Sequence, residues 1–290
     1  MTFSIVAYSP EEKAWGVAVA SKFLAAAAVV SWARAGAGAV ATQALAKVPF
    51  GPEGLDLMAG GLSAEETLSK LLSADPDAEH RQVGMVDANG EAAAHTGSEC
   101  FEYAGHYVGE RFTCQGNILT GRNVIEAMAQ TYERTTGALE NRLLAALLAG
   151  DRAGGDKRGR QSAGLLVVKA GGGYGGDNDR YLDLRVDDHP DPVVRLGELL
   201  EMHRLYFGKT DPEKRLPIDS AIAAELQGIM TRTGHYTGQV NGLWDDATQA
   251  AFWAFVGTEN LEERWSPDDH PEKIDPVALD FIRKRFGAVS

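Results

Sequence analysis

The sequence predicts an α+β domain of stacked layers over residues 1–208, followed by a small helical domain over 217–290. Three observations carry that division. Pairs of short apolar runs alternate with pairs of helix-period segments along the first two hundred residues, the order expected when strands stack against helices. The 290 residues exceed what one core usually holds, since domains run to about 100–150 residues. Composition shifts after Gly208, where Lys209 to Leu216 is polar and contains Pro212, and three of the five Trp (Trp244, Trp253, Trp265) lie beyond it.

The elements follow in order. Residues 3–8 and 14–20 are apolar runs around Ser9-Pro10-Glu11-Glu12-Lys13, whose turn chemistry predicts an opening hairpin. Gly36 to Ala44, with Val40 and Thr42 among small residues, suits a strand pressed between neighbours. Ser63 with Glu66 three residues on forms a capping box, and Leu68, Leu71 and Leu72 continue the helix behind it. Arg81 to Val86 and Glu91 to Thr96 flank Asn89-Gly90, a hairpin signal. Val124 to Leu148 reads as two helices broken near Thr135-Thr136-Gly137. Strands are predicted over Ala163 to Lys169 and Tyr181 to Val186, and Asp191-Pro192 opens a helix. In the tail, Ile222, Leu226, Ile229 and Met230 form one helix face, Asn241-Gly242 a turn, and Ala250 to Phe255 a second helix.

Charge and composition narrow the partners. Forty-one acidic against 28 basic residues give a net −13, which repels polyanions, so no nucleic acid is expected. The short basic run Lys157, Arg158, Arg160 either grips one anionic group or is a solvated loop. Two cysteines, Cys100 and Cys114, make neither a disulfide framework nor a thiolate zinc site. Met1 to Ala7 lacks a basic region and a cleavage site, and Ala25 to Val30 is too short to span a bilayer, so the expectation is a soluble cytoplasmic protein without a membrane partner. Asp187-Asp188-His189 and Asp268-Asp269-His270 lack metal-site spacing, and Gly171 to Gly176 leads into a strand rather than a helix. No metal and no cofactor are expected.

Thr2 can carry chemistry, because removal of Met1 ahead of a small side chain leaves a hydroxyl and a free amine on one residue. An α-amine, with a reference pKa of about 8, can take the hydroxyl proton. Thr2 is equally a common processed terminus. Lys22, just past the second strand, would lower the amine's pKa and stabilise an alkoxide if brought close, or else is a solvated lysine; the hairpin alone is not expected to place it by Thr2. Ser4 is a lesser candidate, needing a cut three residues in. Gly154-Gly155-Asp156 to Ser162 either approaches a ligand or makes a tight turn. His95-Thr96-Gly97, ending a strand, and Gln115-Gly116-Asn117, following one, could line the same edge as Thr2 or simply satisfy turns.

Read in sequence, MTFSIVA, GVAVASKF, GAGAVATQA, RQVGMVDANG, AAAHTG, QGNIL and AGGDKRGRQSA resemble the family known as domain of unknown function 1028, over residues 1 to about 205. The resemblance implies a four-layer αββα sandwich of the N-terminal-nucleophile hydrolase type and hydrolysis of an amide bond in a small or peptide-like substrate. The candidate catalytic residues are then Thr2 and Lys22. The candidate substrate-binding residues are Ser21, Gln43, Arg81, Gln82, His95, Thr96, Gln115, Asn117, Asp156, Arg158, Gln161 and Ser162. A non-catalytic ligand-binding protein on the same fold is the alternative. From Ile218, AAELQGIM, GHYTGQVNGLW, Thr248 and the Phe252 to Phe255 aromatics resemble a peptidoglycan-binding module. Without an export signal, association or gating is as good a role for it. Three Trp in so small a unit should leave aromatic surface to meet the first domain or a second subunit, hence a homo-oligomer.

Overall fold

The structure, a computed structural model, describes residues 2–287. The chain divides into two compact units, Met1–Leu199 and Leu200–Ser290. That division falls within a helix, upstream of the polar stretch 209–216.

The first unit is a mixed α+β structure with antiparallel sheets. Its chain runs β1 (Thr2–Ser9), β2 (Ala14–Ser21), α1 (Ala27–Val30), β3 (Ser31–Arg34), β4 (Gly38–Ala44), α2 (Phe50–Ala59), α3 (Ala64–Ser73), β5 (Arg81–Asp87) and β6 (Ala92–Thr96). It continues with β7 (Gly105–Gly109), β8 (Phe112–Asn117), α4 (Asn123–Arg134), α5 (Leu139–Arg152), β9 (Ser162–Lys169), β10 (Arg180–Val186) and α6 (Pro192–Phe207). One sheet has the order β10-β9-β2-β1-β8-β7, the other β3-β4-β5-β6. Helices α4 and α5 pack on the first sheet and α2 and α3 on the second, while β1 also contacts β4 and β5.

Strand parity decides what each face carries, because successive side chains point to opposite sides. Val6, Val17, Val19, Ala39, Ala41 and Val86 meet in one apolar cluster shared by the two sheets. Their out-of-phase neighbours Val40, Val83 and Met85 pack with Phe50, Leu55, Met58, Leu68 and Leu71 of α2 and α3. The capping box forms as the sequence predicts: Ser63 accepts from the Glu66 amide and Glu66 from the Ser63 amide. Asn89 and Gly90 turn the β5–β6 hairpin, with Gly90 at φ +88° and Asp87 accepting from the Asn89 and Glu91 amides.

Several elements go beyond the sequence reading: α1, β3, α2, β7 and, in the second unit, α9. Gln115-Gly116-Asn117 does not follow a strand but forms the end of β8.

The second unit holds β11 (Leu216–Pro217), α7 (Ser220–Arg232), α8 (Asp246–Thr258), β12 (Lys273–Ile274) and α9 (Pro276–Phe286). Its core is Leu226, Ile229, Met230, Phe252, Phe255, Leu261, Trp265, Leu279 and Ile282. The expected surplus of aromatic surface is small. Trp265 is buried against Phe252 and Trp244, whose Nε1 donates to the Pro271 carbonyl at 2.8 Å, and Trp253 alone of the three is exposed. Among the described residues no helix is long and apolar enough to cross a membrane.

Candidate functional site

Thr2 begins β1, and its hydroxyl lies 3.1 Å from that of Ser21. The hairpin register explains the contact: Phe3 pairs with Ala20, so the end of β2 does sit opposite the start of β1, contrary to the expectation that neighbouring strands would be needed. Across β1 on the other side Thr2 pairs with Asn117.

Parity then gathers a polar cluster between the sheets, continuous with the apolar one. Ser4, two residues on from Thr2, donates to Gln43 Oε1 at 2.7 Å and accepts from Gln115 Nε2 at 2.7 Å. Gln43 Nε2 donates to Gln82 Oε1 at 2.8 Å and more weakly, at 3.4 Å, to the Thr2 carbonyl. Asn117 Nδ2 also donates to Gln82 Oε1, at 2.9 Å. Gln82 Nε2 in turn donates to Thr96 Oγ1 and to the carbonyls of Gly105 and Gly116, at 2.9, 3.0 and 2.8 Å. Thr96 Oγ1 continues to His106 Nδ1 at 2.9 Å, where burial first, and the nearby His95 second, hold the imidazole below its usual pKa. Ser4, Gln43, Gln82, Gln115 and Asn117 are all buried and all neutral, so the cluster joins the sheets without charge, with Gln115 Oε1 left without a hydrogen-bond partner. Gly84 makes room for it, since an added Cβ would overlap the Gln115 amide.

The same parity takes two expected residues out of the polar cluster, although Arg81 still lines a cavity that Thr2 also lines. Arg81 and His95 are each one residue out of phase with Gln82 and Thr96. His95 Nε2 meets the Ala78 carbonyl at 3.1 Å. Arg81 donates to Asp75 at 2.8 Å, to Asp77 at 3.2 Å and to the Leu45 carbonyl at 2.6 Å. Hydrogen bonding from Arg81, seconded by Lys47 and outweighing burial, pulls the Asp75 carboxyl down to about 2.

Lys22 reaches elsewhere too: its ammonium donates to the Arg160 carbonyl at 3.2 Å, and its backbone N–H to Asp156 at 2.7 Å. Asp156 also accepts from the Arg158 amide at 2.9 Å and pairs with the Arg158 side chain at 3.4 Å. Ser162 donates to the Phe23 carbonyl at 2.6 Å and accepts from the Ala26 amide at 3.0 Å, and the Gln161 amide donates to the Ser21 carbonyl at 3.1 Å. Asp156, Gln161 and Ser162 therefore fasten the turn after β2. Gly154, Gly155 and Gly159 are all at positive φ, as a tight turn requires, and Gly154, Asp156 and Gly159 also line a cavity of about 410 Å³ with Ser21.

Sequence reasoning omitted Ser4 from the binding set, although its i, i+2 relation to Thr2 on a strand was the available signal. A cavity of about 490 Å³ opens beside Thr2, lined by Phe23, Ala26, Val29, Val30, Ala44, Leu45 and Ala46, with Gln43 and Arg81 at its wall. Cys100 and Cys114 are free buried thiols, both pushed up by burial. Among the described residues no cluster of three or more His, Cys, Asp or Glu is placed to hold a metal.

No curated protein matches the chain. Among solved structures, two Anbu proteins align weakly. The Gly-1 mutant from Hyphomicrobium sp. strain MC1 has TM-score 0.35 and 10% identity, covering 73% of this chain and 98% of that one. The ancestral beta-subunit from Yersinia bercovieri has TM-score 0.31 and 11% identity, covering 73% and 100%. At such values a shared fold does not follow. A crystal structure of a Silicibacter pomeroyi protein is much nearer, with TM-score 0.64 and 31% identity over 74% of this chain and 94% of that one. Residues 206–282 match the family described as "Putative peptidoglycan binding domain". Residues 2–196 match the family of unknown function DUF1028, to which the Silicibacter pomeroyi protein is also assigned, and the chain belongs to that family.

Proposed function

We propose that the first unit is a four-layer αββα sandwich of the N-terminal-nucleophile type and that it hydrolyses an amide bond with Thr2 as nucleophile, after a cut on the amino side of that residue. The observation that carries the proposal is the position of Thr2: first residue of a buried central strand, hydroxyl beside Ser21, on the wall of the 490 Å³ cavity. A cavity of this size beside a reactive group suits a small-molecule site. Thr2 Oγ1 attacks the carbonyl carbon while its proton passes to the Thr2 amine. The amine then protonates the leaving nitrogen as the C–N bond breaks, and water cleaves the resulting ester, returning a proton to Oγ1. Ser21 orients the attacking hydroxyl, and the neutral cluster behind it fixes β1 against β4, β5 and β8. The C-terminal unit would bind a peptidoglycan-type fragment or associate with a second copy.

The test begins with the intact mass of the purified protein, which should start at Thr2. A β-lactone should add one acyl group at that residue, and Thr2→Ala should abolish labelling and lower turnover of an amide panel about a thousandfold or more. A protein that keeps residues ahead of Thr2 lacks the amine and cannot work this way.

One observation favours a second reading, a binding protein on the same fold: the Lys22 ammonium is engaged on the Arg160 carbonyl rather than offered to Thr2. In that case Thr2→Ala leaves ligand affinity almost unchanged.

A further inference from the structure

The cavity beside Thr2 has a chemistry of its own. Among its described lining residues Phe23, Val29, Val30 and Leu45 are apolar, and Ala26 and Ala44 keep the slot smooth. Besides Thr2, its polar lining residues Gln43 and Arg81 are already committed. Gln43 uses its carbonyl on Ser4 and its amide nitrogen on Gln82. Arg81, the charged lining residue, is held by Asp75, Asp77 and the Leu45 carbonyl. A charged group entering the slot would lose its hydration and meet a cation already neutralised, which is costly, whereas an alkyl chain gains in proportion to the area it buries. Phe23 and Leu45 are 52% and 54% exposed at this cavity, apolar surface that an occupant would cover.

We propose that this cavity receives the straight aliphatic chain of the ligand. On the reading of Thr2 as nucleophile, on which this assignment of the chain's place rests, that chain is the acyl half, and the substrate is an amide of an apolar acid. Thr2 is one of the residues that line the slot, so a chain seated in it presents its carbonyl carbon at the first strand's end. A second copy of the protein could cover the same exposed residues, and the experiment includes that outcome.

Two series separate the ideas, both on the full chain. Thr2→Ala is titrated calorimetrically with straight-chain primary amides from acetamide to decanamide, and the wild type is assayed with the matching 4-nitroanilides. The expected result is affinity that rises about three- to fourfold per added methylene until the slot is full. Val29→Trp and Ala26→Leu should each end the rise at a shorter chain; whichever of the two folds suffices. An affinity independent of chain length overturns the proposal, and if acetyl anilide is still cleaved in a Thr2-dependent way the hydrolase reading survives. A graded affinity without turnover of any anilide supports the aliphatic ligand and sinks the hydrolase. Flat titrations together with a dimer that Phe23→Asp disperses in sedimentation assign the mouth to a second copy and overturn the proposal.

Discussion

Each unit is organised around a buried glutamine, and the two do different work. Gln82 bonds to Gln43 and Thr96 in one sheet and to Asn117 and the Gly105 and Gly116 carbonyls in the other, partners 14 to 39 residues away. It is a bridge between sheets. Gln227 in α7 accepts from the Asn241 and Gly242 amides at 3.0 and 2.9 Å and donates to the Leu243 carbonyl at 2.9 Å and to Thr248 Oγ1 at 3.2 Å. Those partners lie 14 to 21 residues on, in one loop and the helix it leads to, so Gln227 pins a local turn. An amide with both a donor and an acceptor can hold several elements without a charge to desolvate, and how much depends on it is set by whether water can replace it.

The largest effect should therefore come from Gln82→Leu. It strands the Asn117 amide nitrogen, leaves Gln43 Nε2 only its long bond to the Thr2 carbonyl, and takes a donor from the Gly105 and Gly116 carbonyls. At about 1–3 kcal/mol for each group left without a partner, the first unit should lose about 3 kcal/mol or more in denaturant titration. Gln227→Leu should cost less, about 1–2 kcal/mol, because Asn241 is exposed and water can take over its amide. Both losses should appear in tryptophan fluorescence, since the buried Trp15 reports on the first unit and Trp244 and Trp265 on the second. Equal losses would break the distinction between bridge and pin.

What was legible in the sequence follows the same line. Local signals survive without a fold: the Ser63 and Glu66 box, the Asn89-Gly90 turn and the Asp191-Pro192 start all act over a few residues. Asp275-Pro276, which opens α9 with Asp275 accepting from the Val277 amide, carried the same signal as Asp191 and was readable. Helix α2, with Gly51, Pro52 and Gly54 in its first turns, has poor propensity and is held by Phe50, Leu55 and Met58 packing on the sheet. The site was half legible. Residue types near strand ends pointed to Gln43, Gln82, Gln115 and Asn117, but joining them needs the parity of four strands, and one residue of phase separates Gln82 from Arg81 and Thr96 from His95.

A charged counterpart sharpens the comparison further. Asp75, buried and paired with Arg81 and Lys47, has a folded-state pKa of about 2, below its ordinary 3.8. A depressed carboxyl contributes stability that is fully present above its unfolded pKa and is lost as pH falls through the folded one. The melting-temperature gap between wild type and Asp75→Asn should thus be constant from about pH 5 to 7 and shrink between about pH 4 and 2. The Gln82→Leu gap should not follow that course, since none of the five buried side chains of that cluster titrates. A Gln82→Leu gap that closes in acid would mean the cluster depends on a carboxylate.

The smallest effect is expected at the junction, where we propose that a chain ending at Gly208 keeps the first unit folded. The division between units falls at Leu199 and Leu200, inside α6. Leu205 and Tyr206 pack with the second unit's core, and the buried Arg264, paired with Asp275 at 2.9 Å, donates to the Leu205 carbonyl at 2.7 Å, to Thr210 Oγ1 at 3.1 Å and to the Arg204 carbonyl. These partners of Arg204, Leu205 and Tyr206 belong to the part removed, while Val193 and Leu196 are buried in the part kept. Cutting after Gly208 should fray the end of α6, lose about two turns of helical signal and move the first unit's melting temperature by no more than about 2–4 °C. Cutting after Leu199 should give nearly the same melting temperature, because it removes only the frayed turns. If the longer chain is stable and the shorter one aggregates, residues 200–208 belong energetically to the first unit, and the boundary between the two glutamine-centred cores lies further along the chain.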